Sequence, residues 1–112
     1  MKDWQVLKTR YQRDGVAIQL GGLASNLNRI AWCAQQNDRA AALPILTESK
    51  YFTEWAATHG SLEQQALLAE VQVELAWWER SWGIRISPGA INEQAIQWST
   101  KLLESSGLLA KR

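Results

Sequence analysis

The side chains that most often carry out acid–base, nucleophilic or metal chemistry are few in this chain, and they stand apart from one another. His59 is the only histidine and directly precedes Gly60. A positive charge there suits the negative end of a helix dipole, so we expect a capping role. Catalysis would need a carboxylate to orient the imidazole. Cys33 follows Trp32 on an apolar segment and has no CxxC partner, so we expect a small buried hydrophobe.

Two carboxylates, Glu70 and Glu74, have the four-residue spacing that places side chains on one face of a helix. A di-iron helical bundle would add a Glu-x-x-His motif to such a pair, and the sequence contains none. We therefore expect a solvated acidic surface. The sequence predicts no catalytic residue, no metal site and no cofactor, and hence a protein that is not an enzyme.

Tryptophan is the residue type in excess, with seven copies in 112 residues. The densest segment is Trp77-Trp78-x-x-x-Trp82. Indole is the largest apolar side chain, and a domain of this length does not need seven to fill its core. The excess predicts a core plus one further protected surface, which would be a subunit interface, a partner site or a ligand pocket.

Charge and composition indicate one folded domain over residues 1–112, with 46% apolar and 21% charged residues and a net charge of +1. That balance gives no reason to expect nucleic-acid binding, and Lys8, Arg10 and Arg13 around Tyr11 add only a weak signal. Residues 1–13 are basic and residues 61–80 acidic. We favour attraction between these segments inside the fold, while a basic arm for an anionic partner stays open.

The expected compartment is the cytoplasm. A single cysteine cannot form an intramolecular disulfide and fits a reducing environment. The pattern of a signal peptide is missing, and no apolar run is long enough to span a membrane.

Helical periodicity recurs along the whole chain, and strand-like alternation does not. Helices are predicted over residues 3–13, from 16 or 22 to 36, and over 39–58, 61–82 and 87–106. Four of them have predicted N-terminal caps, which are Asp3, Asn37-Asp38, Ser61 (in a capping box with Gln64) and Ser87 (before Pro88). Glycines mark the predicted ends of the last three helices: Gly60, as a left-handed terminator, Gly83 and Gly107. The second start is open, because either the helix begins only at Gly22, with residues 16–20 extended, or the glycines lie inside the helix and let a neighbouring helix approach closely. Pro44 predicts a kink or a late start in the third helix. Short links favour an all-α, small antiparallel four-helix bundle (16–106), with a short N-terminal helix (1–13) packed on it.

The fourth predicted helix is apolar on two opposite sides. At 100° per residue, Leu68, Val71, Leu75, Trp78 and Trp82 share one face, and Leu62, Ala66, Ala69, Val73 and Trp77 share the other. A peripheral helix buries only one of them in its own bundle. The first helix could cover the second face with Trp4, Leu7 and Tyr11, or a second copy or a partner helix could cover it.

We favour a homodimer, with a further protein partner as a possibility and no nucleic acid or membrane span. The predicted interface residues are Trp77, Val73, Trp82 and Trp4. The expected function is that of a non-enzymatic interaction or regulatory protein.

Two further predictions concern polar and ligand-binding positions. Asn26 and Arg29 are expected as buried polar residues that fix helix register or oligomeric state. The alternative function is a carrier that holds a pigment or lipid between its helices, among the tryptophans Trp55, Trp78, Trp82 and Trp98.

Four segments give the chain a resemblance to a set of short all-helical proteins from cyanobacteria. They are DWQVLK at 3–8, LGGLASNL at 20–27, ESKYFTEW at 48–55 and SSGLL at 105–109. The resemblance covers nearly the whole length. It implies a helical fold and a cytosolic setting, and it implies no activity and no site residues.

Overall fold

The computed structural model describes residues 3–108, and its secondary structure is almost entirely helical. No strand occurs in this range, apart from one isolated bridge between Trp82 and Ile86. The all-α prediction is confirmed. The helices are α1 (Trp4–Arg13), α2 (Val16–Gln35), α3 (Arg39–Ala57), α4 (Leu62–Ser81) and α5 (Pro88–Ser106).

Side-chain caps start four of the five helices, and all four caps were predicted from the sequence. Asp3 accepts from two backbone N–H groups of α1, and Asp38 accepts from one at the start of α3. Ser61 begins α4 with a complete capping box, and Ser87 caps α5 immediately before its first-turn proline. Each cap supplies an acceptor to N–H groups that have no partner within the helix.

The C-terminal ends of the helices agree with the predictions at two glycines and differ at a third. Gly83 and Gly107 have φ of 73° and 83°, the left-handed conformation that ends helices. Gly60 was predicted to end α3 in the same way, and this is wrong, because its φ is not positive. The carbonyl of Ala57 instead accepts from the Gly60 N–H and from the side chain of Gln65, so no left-handed residue is needed there.

Two helix interiors carry residues that usually interrupt helices. The helix α2 begins at Val16, which puts both glycines inside it; a Cβ on Gly21 would lie 2.7 Å from Leu108 Cδ1. The glycine therefore lets a side chain from the turn after α5 approach closely, whereas the second alternative had expected a neighbouring helix there. The helix α3 begins at Arg39 and not late. Pro44 has no N–H group that could donate to the carbonyl of Ala40. Because Ala40 is exposed, water can donate a hydrogen bond to that carbonyl instead.

Each of the helices α2–α5 contacts two of the others: α2 packs on α5 and α3, and α4 packs on α3 and meets α5. Ser99 donates to the carbonyl of Ala24 and Asn92 to that of Ala31, at 3.0 and 2.8 Å, so α2 and α5 run antiparallel. The largest side chains that are fully buried between the helices include Trp78, Leu20, Leu23, Leu27, Ile30, Leu46, Leu68, Leu75, Ile91 and Leu102.

None of the described helices is both long enough and apolar enough to cross a bilayer.

The short helix α1 lies against α3, where aromatic rings hold it. Tyr11 stacks on Phe52 with ring centroids 4.0 Å apart, and its hydroxyl donates to the carbonyl of Gln19. At the other end of α1, the ring of Trp4 lies 4.3 Å from that of Tyr51 and 6.5 Å from that of Trp55. These contacts place α1 away from the second apolar side of α4, in contrast to the alternative in which α1 covers it.

Candidate functional site

The inner side of α4 is part of the core, as its periodicity predicts. Trp78 is fully buried and Trp82 is 5% exposed. Both indole N–H groups are satisfied, that of Trp78 by Gln94 Oε1 at 2.9 Å and that of Trp82 by Asn37 Oδ1 at 3.1 Å. Trp82 was predicted as an interface residue, but its ring packs inside the chain and does not reach the surface that carries Val73.

The opposite side of α4 is open to solvent along its length. Leu62 is 84% exposed and Val73 is 70% exposed, while Trp77 is half-buried. Small residues fill the positions between them. We call this surface the outer face of α4; its residues are Leu62, Ala66, Ala69, Val73, Ala76 and Trp77.

The spacing along the outer face alternates between four and three residues, from 62 to 66, 69, 73 and 76. A 3.5-residue period is the pattern with which one helix packs along another. The same alternation reaches Arg80 in the last turn of α4. The helix α4 therefore has one apolar side that packs inside its own chain and a second apolar side whose spacing suits packing against another helix.

Polar residues border the outer face on both sides. Glu63 and Glu70 lie towards α5, where they line a shallow groove with Lys101. On the opposite side, Gln65 reaches back to the end of α3. Beyond Trp77 the surface has a hollow of about 410 Å³. Its lining residues are Trp77, Arg80, Ser81, Ile84 and Arg85.

Within residues 3–108, Glu79 is the acidic side chain of α4 that forms an ion pair, and its partner comes from α3 and not from the basic first helix. Lys50 forms an ion pair with Glu79, and Arg39 donates to the carbonyl of Glu79 at 3.1 Å. The favoured interpretation, attraction between residues 1–13 and 61–80, is therefore not what positions α4.

The remaining predicted site residues lie elsewhere in the fold. Trp4 was predicted as an interface residue, but its ring packs on Tyr51 and Trp55 of α3. Asn26 is 4% exposed and donates to Glu48 Oε1 at 3.1 Å and to Ser49 Oγ at 3.3 Å, which joins α2 to α3 within one chain. Arg29 was expected to be buried beside it, but one helical turn further along α2 its side chain is exposed.

A second surface, which was not predicted from the sequence, lies between α2 and α3. Trp32 is 62% exposed there, although tryptophan is rarely left in solvent. It forms one wall of a groove of about 570 Å³. We call this the α2–α3 groove; its lining residues are Ser25, Asn28, Arg29, Trp32, Cys33, Ala41, Pro44 and Ile45.

In the part of the chain that the structure describes, the side chains with chemical reactivity are not assembled into a site. Burial raises the pKa of the Cys33 thiol, and the charge of Asp38 adds to the shift, so the reactive thiolate is disfavoured. His59 is exposed just after the end of α3. Within residues 3–108, no three His, Cys, Asp or Glu side chains are grouped so that they could hold a metal ion.

No protein-family model, curated protein or solved structure matches this chain. What the chain does is therefore inferred from its two open apolar surfaces, the outer face of α4 and the α2–α3 groove.

Proposed function

We propose that this chain is a non-enzymatic interaction or regulatory protein of the cytoplasm that pairs with a second copy of itself through the outer face of α4. Its body would be a four-helix bundle of α2–α5 with α1 as an additional helix. The observation that carries the proposal is the exposure of Leu62 and Val73 at 84% and 70% on one continuous apolar side. Contiguous apolar surface of this kind marks interaction sites.

An antiparallel arrangement of the two copies of α4 follows from the spacing of the outer face. The series 62, 66, 69, 73, 76 and 80 has the same intervals in both directions. A two-fold axis near position 71 therefore sets Leu62 opposite Arg80 of the second copy, Ala66 opposite Ala76 and Ala69 opposite Val73. Alanine at these positions allows helix axes to approach to about 8 Å, the close end of the usual range.

The charges at the ends of the outer face complement each other in this arrangement. Glu63 lies in the first turn of α4 and Arg80 in the last turn. In the described chain neither side chain takes part in an ion pair. Antiparallel pairing brings each Glu63 next to Arg80 of the second copy, twice per dimer. It also brings each Leu62 to the hollow beside Trp77 and Ile84.

The same geometry predicts weak association. The 20 residues of α4 extend over about 30 Å, and a contact strip about 10 Å wide gives roughly 300 Å² per copy. Stable complexes bury about 800 Å² per partner. The two Glu70 carboxylates would also face each other near the axis. We therefore expect a reversible dimer with a dissociation constant of about 1–100 µM, suited to a regulated contact.

Sedimentation velocity on two matched variants tests the proposal. Val73→Glu places a charge at the centre of the outer face and should leave only monomer at concentrations where the wild type is partly dimeric. Val6→Glu makes the same substitution at a valine that is 51% exposed on α1, and it should dimerise like the wild type.

Two results would overturn this assignment. One is a dimer that tolerates Val73→Glu, which would move the interface to another surface. The other is a wild type that stays monomeric yet binds an added amphipathic helix through Val73, which would assign the outer face to a different protein.

A further inference from the structure

The α2–α3 groove has the size and the lining of a small-molecule site. Its volume of about 570 Å³ lies within the range of about 300–1,000 Å³ that is typical of ligand pockets. Its lining residues come from one face of α2 and one face of α3. The groove contains no residue of α4, so it does not depend on the proposed dimer.

One end of the groove is apolar, and the indole ring of Trp32 is exposed there. Trp32 is 62% exposed, and Ala41 and Pro44 lie across from it on α3. Pro44 is a rigid ring on a helix surface, and Ala41 is too small to fill the space before it. A flat apolar group placed here would contact the indole face and remove exposed apolar surface from water.

The other end of the groove carries hydrogen-bond donors. The guanidinium of Arg29, the amide of Asn28 and the hydroxyl of Ser25 lie along one side of α2. Arg29 forms no ion pair within the part of the chain that the structure describes. A guanidinium with open donors next to an apolar wall is suited to a carboxylate, which it can bind with two parallel hydrogen bonds.

We propose that the α2–α3 groove binds a small amphipathic carboxylate, with its apolar ring against Trp32 and its carboxylate on Arg29. The acidic group beside Arg29 restricts the orientation. Glu48 shares a smaller hollow of about 80 Å³ with Arg29, and its Oε1 accepts from Asn26 inside the chain. The carboxylate of the ligand therefore binds on the side of Arg29 that faces Asn28 and Ser25.

A matched pair of probes separates the charge from the ring. The probes are 2-naphthoate and its neutral counterpart 2-naphthamide, titrated into protein labelled with 5-fluorotryptophan and followed by fluorine NMR. Trp32→Phe identifies the Trp32 signal. We expect 2-naphthoate to shift that signal saturably with a dissociation constant of about 1 mM, and the amide to bind about three- to fivefold more weakly, because an exposed ion pair contributes little.

Three variants locate the two halves of the site. Arg29→Gln should weaken 2-naphthoate to the level of the amide, while Arg10→Gln, a change at an exposed arginine on α1 outside the groove, should change neither titration. Ala41→Leu fills the apolar end from an exposed position and should weaken both probes at least tenfold. Unchanged fluorine signals of the other six tryptophans show that each variant is folded.

Three outcomes would each overturn the proposal. They are no saturable shift of the Trp32 signal up to about 10 mM of either probe, equal binding of the acid and the amide, and binding that moves the signals of other tryptophans instead. Because Val73→Glu leaves the groove intact, the same titration on that variant keeps this result separate from that of the proposed dimer.

Discussion

Replacement of Val73 by alanine should weaken the proposed dimer without weakening the fold. The substitution removes two methyl groups, each worth about 0.8 kcal/mol when moved from water to an apolar contact. Because Val73 is 70% exposed in the single chain and fully covered in the proposed pairing, the loss is about 1.1 kcal/mol per copy. The change occurs twice in a symmetric dimer, which gives about 2.2 kcal/mol, or roughly a 40-fold higher dissociation constant.

The folding stability of the single chain should not fall, since alanine favours helix more than valine does and Val73 makes little contact within its own chain. Heats of dilution in a calorimeter give the dissociation constant, and thermal unfolding at low concentration gives the stability. Val6→Ala on α1 is the matched control and should leave both quantities near those of the wild type. An unchanged dissociation constant for Val73→Ala would refute the reasoning, and so would a clear drop in its unfolding temperature, because Val73 would then belong to the core.

Three further predictions follow from the contacts. Exchanging the charges of the proposed Glu63–Arg80 pair tests the antiparallel register: Glu63→Arg and Arg80→Glu should each raise the dissociation constant of the dimer about two- to fivefold, and the double variant should restore it. Analytical centrifugation measures these constants, and a double variant that dimerises more weakly than both single variants would exclude the antiparallel register. Trp78→Phe should destabilise the fold by about 2–4 kcal/mol in urea unfolding, because it leaves a cavity and an unpaired Gln94 oxygen; a loss below about 1 kcal/mol would contradict the burial of this ring. Burial raises the pKa of Tyr11 above its ordinary value, so only the unfolded chain loses this proton just above about pH 10, and stability should fall as pH rises there. In Tyr11→Phe that part of the alkaline decline should be absent, and an identical decline would contradict the assignment.

The sequence predicts the helices well where local chemistry decides them. The capping box at Ser61 and the serine–proline start at Ser87 are local signals, because the cap and the N–H groups that it satisfies lie within one turn. The start of α2 was left open because the reason for a glycine at position 21 lies far along the chain. The side chain of Leu108 occupies the space that a side chain at position 21 would need. Gly60 was misjudged because Gln65, from the next helix, satisfies the carbonyl that a left-handed glycine would otherwise serve.

The two surfaces differ in how far the sequence reveals them. The outer face of α4 follows from periodicity alone, since Val73 lies opposite the buried Leu75 stripe on a single helix. The α2–α3 groove depends on which sides of α2 its two neighbours cover, and a periodic pattern on one helix does not contain that information. The sequence did contain one signal of this groove, which is Trp32. This tryptophan lies outside the buried apolar face of α2, so the helical periodicity predicts that it is exposed.

Charge placement was misleading for a related reason. The basic residues of α1 and the acidic residues of α4 suggested mutual attraction, but aromatic contacts from Tyr11 to Phe52 fix α1 on α3. Stacked rings in a buried position contribute more than exposed ion pairs do, so packing decides where the helix lies.

Sedimentation equilibrium of the wild-type chain is the most direct measurement of whether a second copy covers the outer face of α4. Over a concentration range of about 5–500 µM, the weight-average mass should lie above 12.7 kDa and rise with concentration towards 25.4 kDa, which is twice 12.7. A mass that stays at 12.7 kDa across that whole range would contradict the account.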